Sequence, residues 1–206
     1  CPGDSSLAFP HRWAASRLRT ALLATGIAVD GPDVHELGAA PAPTDSVLAV
    51  HDSPGFDSLL QQALWKSSNH DMESFGMIAG SSDTLSSRNA GMSRIRAVVQ
   101  SLGLDTLGNT IQDVSGLSRK NAVTSSAMAR AIARIARDPR SNVLPLLPGR
   151  GEGTLKSRMK RTLPKGAQLR AKTGSLDGIS CLAGIVVPPG GDTLARIDPS
   201  SSSVSY

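Results

Sequence analysis

The chain has 206 residues, with 22 Lys and Arg against 17 Asp and Glu and a formal net charge of +5 at neutral pH. Its 39% apolar and 19% charged residues suit a globular domain, and with only 3% aromatics the core must come from Ala, Leu, Ile and Val. No apolar run nears the roughly 18 residues of a membrane span, and the cysteines, Cys1 and Cys181, are too few for a disulfide framework or a cysteine-only zinc site.

In chain order, Trp13, Leu18, Ala21 and Leu22 recur at helical spacing, which predicts a helix over 11–25 with Gly26 at its C-terminal cap. Residues 30–45 are rich in Gly, Pro and Asp and read as a connection, followed by a short apolar stretch at 47–50. A second helix is predicted over 56–66, with Leu59, Leu60, Ala63 and Leu64 inward. Ser67-Ser68-Asn69 interrupts it, and helical character resumes over 72–79. Met92, Ile95, Val98, Val99 and Leu102 mark another helix, stopped by Gly103. Thr124 caps a further one, in which Met128, Ile132 and Ile135 line one face and Arg130, Arg134 and Arg137 another.

After residue 165 the period changes from helical to alternating. Leu169, Ala171 and Thr173 alternate with Gln168, Arg170 and Lys172, then Ser175-Leu176-Asp177-Gly178 reads as a turn and 179–187 as a second strand. Helices leading into a late hairpin predict an α+β arrangement with a mostly antiparallel sheet. Residues 188–206, with Pro188-Pro189-Gly190-Gly191 and a serine-rich end, read as a disordered tail. Ile179, Leu182, Ile185 and Val186 are then expected to present an unpartnered apolar edge.

The positive charge invites a nucleic-acid reading. However, the densest basic group (Lys156, Arg158, Lys160, Arg161) has no aromatics for base stacking, and a solvated basic helix or contact with an anionic cell-wall polymer explains it equally. His11, His35, His51 and His70 lack metal-ligand spacing and read as surface or capping residues. Asp113 and Ser115 fit an ordinary turn before a helix.

Two short motifs carry possible chemistry. In Lys172-Thr173-Gly174 an ammonium, a hydroxyl and a glycine at a strand end can receive a carboxylate, although a solvated lysine and a turn glycine have the same appearance. In Ser67-Ser68-Asn69 a hydroxyl and an amide at a helix break can relay a proton and hold a peptide group, although helix caps use the same residue types.

Taken together and in this order, the two match the S-x-N and K-T-G elements of penicillin-binding proteins and serine β-lactamases. The likeness extends to the segment 47–54 ending His51-Asp52-Ser53-Pro54, and to Asp113-Val114-Ser115-Gly116-Leu117-Ser118-Arg119, which is similar to a D-G-S-G-L-S-R stretch with Val114 in place of glycine. It also includes Gly153-Thr154-Leu155 with Arg158-Met159, and the hairpin 171–184. Over about residues 10–187 the chain resembles D-alanyl-D-alanine carboxypeptidase/endopeptidases, low-molecular-mass class C penicillin-binding proteins of the serine peptidase type. The resemblance implies a β-lactamase/transpeptidase-like fold, here incomplete at both ends. Residues 1–187 would be the C-terminal part of the penicillin-binding domain.

The resemblance further implies hydrolysis of peptidoglycan stem peptides ending in D-alanyl-D-alanine through a seryl acyl-enzyme, β-lactam binding by the complete enzyme, and an extracytoplasmic site in periplasm or cell wall. It implies no metal or organic cofactor, no nucleic acid and no membrane span. Ser67 would relay the proton to the leaving amine, Asn69 hold the acyl-side amide, and Lys172 supply positive potential. Thr173 would bind the terminal carboxylate, Gly174 admit substrate to the strand, and the Ser175 N–H form half of the oxyanion hole.

The S-x-x-K element that carries the nucleophile does not precede Ser67. The one S-x-x-K in the chain, Ser157-Arg158-Met159-Lys160, falls after S-x-N and out of context. The chain therefore reads as a fragment of such an enzyme, inactive alone. A non-catalytic remnant or peptidoglycan-binding pseudoenzyme, and a β-lactamase or esterase of the same fold, are the alternatives.

Overall fold

The computed structural model describes residues 10–31, 46, 50–81, 88–103, 108–156, 158, 163–190 and 194–199. The chain divides into two units, residues 1–53 and 54–206. In the first, α1 spans Pro10–Ala24. Its end is closed by the Gly26 N–H to the Leu23 carbonyl and the Ile27 N–H to the Leu22 carbonyl, both 3.0 Å, with Gly26 at φ +83°. That six-to-one hydrogen bond over a left-handed residue is the usual glycine stop. Residues 32–45 and 47–49, predicted as a connection and an apolar stretch, lie outside the described residues, as does His35.

The second unit holds α2 (Phe56–Lys66), α3 (Asn69–Ala79), α4 (Arg88–Ser101), α5 (Ser125–Arg137), the short α6 (Val143–Leu146), a 3₁₀ turn over Gly153–Leu155, and strands β1 (Gln168–Leu176), β2 (Ile179–Val187) and β3 (Leu194–Pro199). α3 begins three residues earlier than the periodicity suggests, because the Ser68 hydroxyl accepts the Asp71 N–H at 3.3 Å and caps the helix there. Phe56 of α2 meets Phe75 of α3 edge to face, with centroids 5.1 Å apart. α3 and α4 approach so closely that a Cβ on Gly91 would overlap the Gly76 carbonyl. Thr124 caps α5 as expected, accepting the Ala127 N–H at 3.3 Å. The inward face of α5 is Ala127 and Ala131 against Val99, Leu102 and Val123, with Ile132 also buried.

The sheet is an antiparallel meander ordered β1-β2-β3. β1 continues to Leu176, so the hairpin turn is Asp177-Gly178 alone rather than the four residues from Ser175. Gly178 has φ +76°, which suits a two-residue turn. One face of the sheet, Leu169, Ala171, Leu182 and Val186, buries against Leu155 of the 3₁₀ turn and forms the main core.

Two expectations are corrected by β3. Residues 194–199 are not a disordered tail, because they pair with β2 from Val186 to Cys181. β2 is therefore the central strand, with backbone partners on both sides. Leu182 and Val186 are each only 8% exposed, and of the expected apolar edge only Ile179, at 44%, is exposed. Residues 200–206 lie outside the described residues. No described helix is long and apolar enough to cross a membrane.

Candidate active site

The site begins where α2 stops. Ser67 adopts φ 54°, ψ 46°, the one non-glycine residue with positive φ among the described residues. The Ser67 N–H goes to the Ala63 carbonyl, and so does the Ser68 N–H at 3.0 Å. A side chain in that region costs on the order of 1 kcal/mol. The resulting reversal turns the Ser67 hydroxyl out of the helix, toward β1.

There it meets Lys172, whose Nζ donates to Ser67 Oγ at 2.7 Å and to the Thr173 carbonyl at 2.6 Å. The two residues are 105 positions apart in the chain. A hydroxyl that accepts from an ammonium keeps its own hydrogen for a third atom, which is the arrangement a proton relay requires. Burial lowers the Lys172 pKa from its ordinary 10.5, an effect partly opposed by the nearby Cys181 thiol.

Asn69 is the half-buried first residue of α3, two positions beyond Ser67. The Thr173 hydroxyl donates to Thr154 Oγ1 at 2.8 Å, which ties the strand to the 3₁₀ turn. Gly174 lies opposite Cys181 in the β1–β2 register, and a Cβ there would overlap the Cys181 sulfur. Cys181 is a free, exposed thiol. β1 is an edge strand whose Ala171 N–H leaves the sheet for the Pro148 carbonyl at 3.1 Å. With the strand period of two, the Ser175 N–H is aimed toward that same open edge.

The hairpin is fixed from below. Arg158 donates to Ser180 Oγ at 2.8 Å, and Arg170 donates to Glu152 Oε2 at 3.0 Å. Gly153, at φ +44°, lies so close to α2 that a Cβ would stand 2.8 Å from the Trp65 carbonyl oxygen. Ser157, Met159 and Lys160 of the out-of-context S-x-x-K lie outside the described residues.

Asp113 is structural. At 9% exposure its carboxylate accepts the Gly116 N–H (2.7 Å), the Ser118 N–H (2.6 Å) and Asn121 Nδ2 (2.8 Å). Glu73 of α3 receives the Val114 and Ser115 N–H groups on one oxygen, at 3.1 and 3.0 Å, and Arg88 on the other. The unusual Val114 fits because α3 has Gly76 beneath its methyl group. Sequence reasoning quoted Thr154 within its motif but gave it no place in the site; the G-T-L triplet was the available signal. Glu73 had no such signal. His51 and His70 are exposed, and among the described residues no cluster of His, Cys, Asp and Glu could hold a metal.

Residues 5–197 match the D-Ala-D-Ala carboxypeptidase 3 (S13) family. The chain belongs to that family. It is 33% identical over 196 residues to a D-alanyl-D-alanine carboxypeptidase of Actinomadura sp., a match covering 89% of this chain and 35% of that one. It is 31% identical over 147 residues to penicillin-sensitive carboxypeptidase A of Dictyostelium discoideum, covering 67% and 27%. The chain thus spans about a third or less of the length of these family members. Among solved structures it resembles penicillin binding protein 4 from Haemophilus influenzae in complex with a β-lactam, with a TM-score of 0.73 and 25% identity over 94% of this chain and 45% of that one. A β-lactamase from Sphaerobacter thermophilus, at TM-score 0.51 and 20% identity over 73% of this chain and 57% of that one, shares the fold. This S13 chain therefore has the α+β, β-lactamase/transpeptidase-like architecture expected of it.

Proposed function

We propose that this chain supplies the S-x-N and K-T-G side of a serine-type D-alanyl-D-alanine carboxypeptidase/endopeptidase. Such an enzyme acts on peptidoglycan stem peptides outside the cytoplasm, and the acylated serine lies beyond these 206 residues. The observation that carries the reading is the 2.7 Å contact of Lys172 Nζ with Ser67 Oγ. Amide hydrolysis through an acyl-enzyme needs a proton delivered to the departing nitrogen, and Ser67 holds a hydrogen free for that purpose. Lys172 keeps positive potential where the substrate carboxylate arrives, and the Thr173 hydroxyl turns its one hydrogen from Thr154 Oγ1 to that carboxylate. Asn69 holds the acyl-side amide. Gly174 leaves the strand edge open to the peptide, and the outward Ser175 N–H stabilises the oxyanion.

The test is intact-mass measurement after incubation with a labelled β-lactam. The 206-residue chain is expected to form no adduct, whereas a protein that also carries the S-x-x-K segment forms one, and forms it far more slowly on Ser67→Ala or Lys172→Ala. An adduct on Ser67 itself would reverse the assignment. Binding without acylation in the complete protein would make it a pseudoenzyme.

A further inference from the structure

Two threonines meet where the 3₁₀ turn touches the edge strand. The Thr173 hydroxyl donates to Thr154 Oγ1 at 2.8 Å, and both residues are half-buried. A threonine hydroxyl has one hydrogen and two lone pairs. In the pair as it stands, Thr173 gives its hydrogen to Thr154, and Thr154 still holds its own. Thr154 also lines an open groove beside α2, where water can take that hydrogen.

Thr154 is held from both sides along the chain. Before it, Gly153 packs directly on the Trp65 backbone, and Trp65 is anchored by its indole N–H to the Leu146 carbonyl at 3.1 Å. The Glu152 carboxylate accepts the Gly149 N–H at 2.8 Å and Arg170 of β1 at 3.0 Å. After it, Leu155 is fully buried against Leu169 and Ala171, on the strand face that Thr173 shares by its period of two. The Leu155 N–H closes the turn on the Glu152 carbonyl at 2.8 Å. The Thr154 oxygen is therefore fixed relative to β1 by contacts that do not involve Thr173.

We infer that Thr154 is a positioning residue for Thr173, and that the hydrogen bond between the two hydroxyls reverses when a carboxylate binds. This rests on the reading of Thr173 given above. When Thr173 turns its hydrogen to the carboxylate, Thr154 turns its own hydrogen onto Thr173 Oγ1. Rotation about the two C–O bonds is enough, so the oxygens stay where they are and neither loses its partner. Two consequences follow for the ligand. The Thr173 side chain is already ordered before the carboxylate arrives, so that ordering is not charged against binding. A hydroxyl that accepts a hydrogen bond is also polarised into a stronger donor, so Thr173 holds the carboxylate more firmly than an isolated threonine would. Thr154 does not touch the carboxylate and acts through Thr173 alone.

The experiment is an NMR titration of the 206-residue chain with two probes, acetyl-D-alanyl-D-alanine and its neutral C-terminal amide. The acid is expected to bind about tenfold more tightly than the amide, as hydrogen bonds to a charged group allow. Thr154→Val keeps the shape of the side chain and is expected to cut that preference about threefold, the size of one neutral hydrogen bond, while Thr154→Ser retains it. Thr173→Val removes more of the preference, and adding Thr154→Val to it removes nothing further, which separates action through Thr173 from a general loosening of the turn. A preference unchanged by Thr154→Val, an equal weakening of both probes, or a further loss in the double variant overturns this inference and leaves the carboxylate reading of Thr173 standing. A preference unchanged by Thr173→Val, or failure of both probes to bind, overturns the two together.

Discussion

α1 and α2 end in the same way and with different residues. Each closes with a six-to-one hydrogen bond over a left-handed residue, Ile27 to Leu22 in one and Ser68 to Ala63 in the other. α1 uses Gly26, which adopts that conformation without penalty, whereas α2 uses Ser67. A glycine would serve the α2 stop better by about 1 kcal/mol, but it would bring no oxygen to Lys172. Left-handed backbone at a non-glycine residue persists where the surroundings hold it, and here the hydroxyl bonded to Lys172 is what the strain secures. One helix end serves the helix alone, and the other also serves the cleft.

The largest effect that can break this contrast is kinetic. In the complete enzyme Lys172→Ala is expected to slow acylation by a labelled penicillin about 10²-fold or more in stopped-flow, because Ser67 loses its partner. Gly26→Ser should leave that rate unchanged; a comparable loss there would mean that both ends matter to the cleft. Next in size is the support around the cleft. Asp113→Ala removes a buried carboxylate from three donors in a part-buried loop and is expected to cost about 2 kcal/mol in urea denaturation. A loss below about 0.5 kcal/mol would show that water replaces the carboxylate.

The strain itself is measured by two variants that both lack the hydroxyl. Ser67→Gly should be more stable than Ser67→Ala by about 1 kcal/mol, and Gly26→Ala less stable than the unmodified chain by a similar amount. Equal stability of the two Ser67 variants would remove the cost on which the contrast depends. The smallest effect is in pH. With burial lowering the Lys172 pKa, the unfolded chain binds more protons than the folded one between that lowered value and 10.5. Stability attributable to this group therefore rises as pH increases through that window. Urea midpoints of the unmodified chain and Lys172→Met should diverge in favour of the former on going from neutral to alkaline pH, and a constant difference would count against a buried charged lysine.

Local patterns in the sequence were legible where the physics is local. The Thr124 cap and the period of α5, and the alternation through Leu169, Ala171 and Thr173, depend on neighbours within a few residues. β3 was hidden, because Leu194–Pro199 is short, ends in proline and becomes a strand by pairing with β2. The limits of α3 and of the hairpin turn moved by a few residues for a related reason: a Ser68 cap and an Asp-Gly turn override periodicity. The meeting of Ser67 with Lys172 had no local signature and was legible only through the order of motifs along the chain. Thr154 lay within the G-T-L triplet, but the role of Glu73 is carried by tertiary hydrogen bonds that composition and spacing do not encode.

The separation of Ser67 from Lys172 also bears on the order of assembly. Joining residues 105 positions apart carries a length-dependent chain-closure entropy of about 4 kcal/mol, whereas β1 and β2 are linked by a two-residue turn and β3 follows within a few residues. The meander is therefore expected to form early and the Ser67–Lys172 contact late, after α2, α3 and the loop around Asp113 have docked. A nascent chain would then hold a finished sheet well before it holds a reactive cleft, so the appearance of reactivity would itself report that folding is complete.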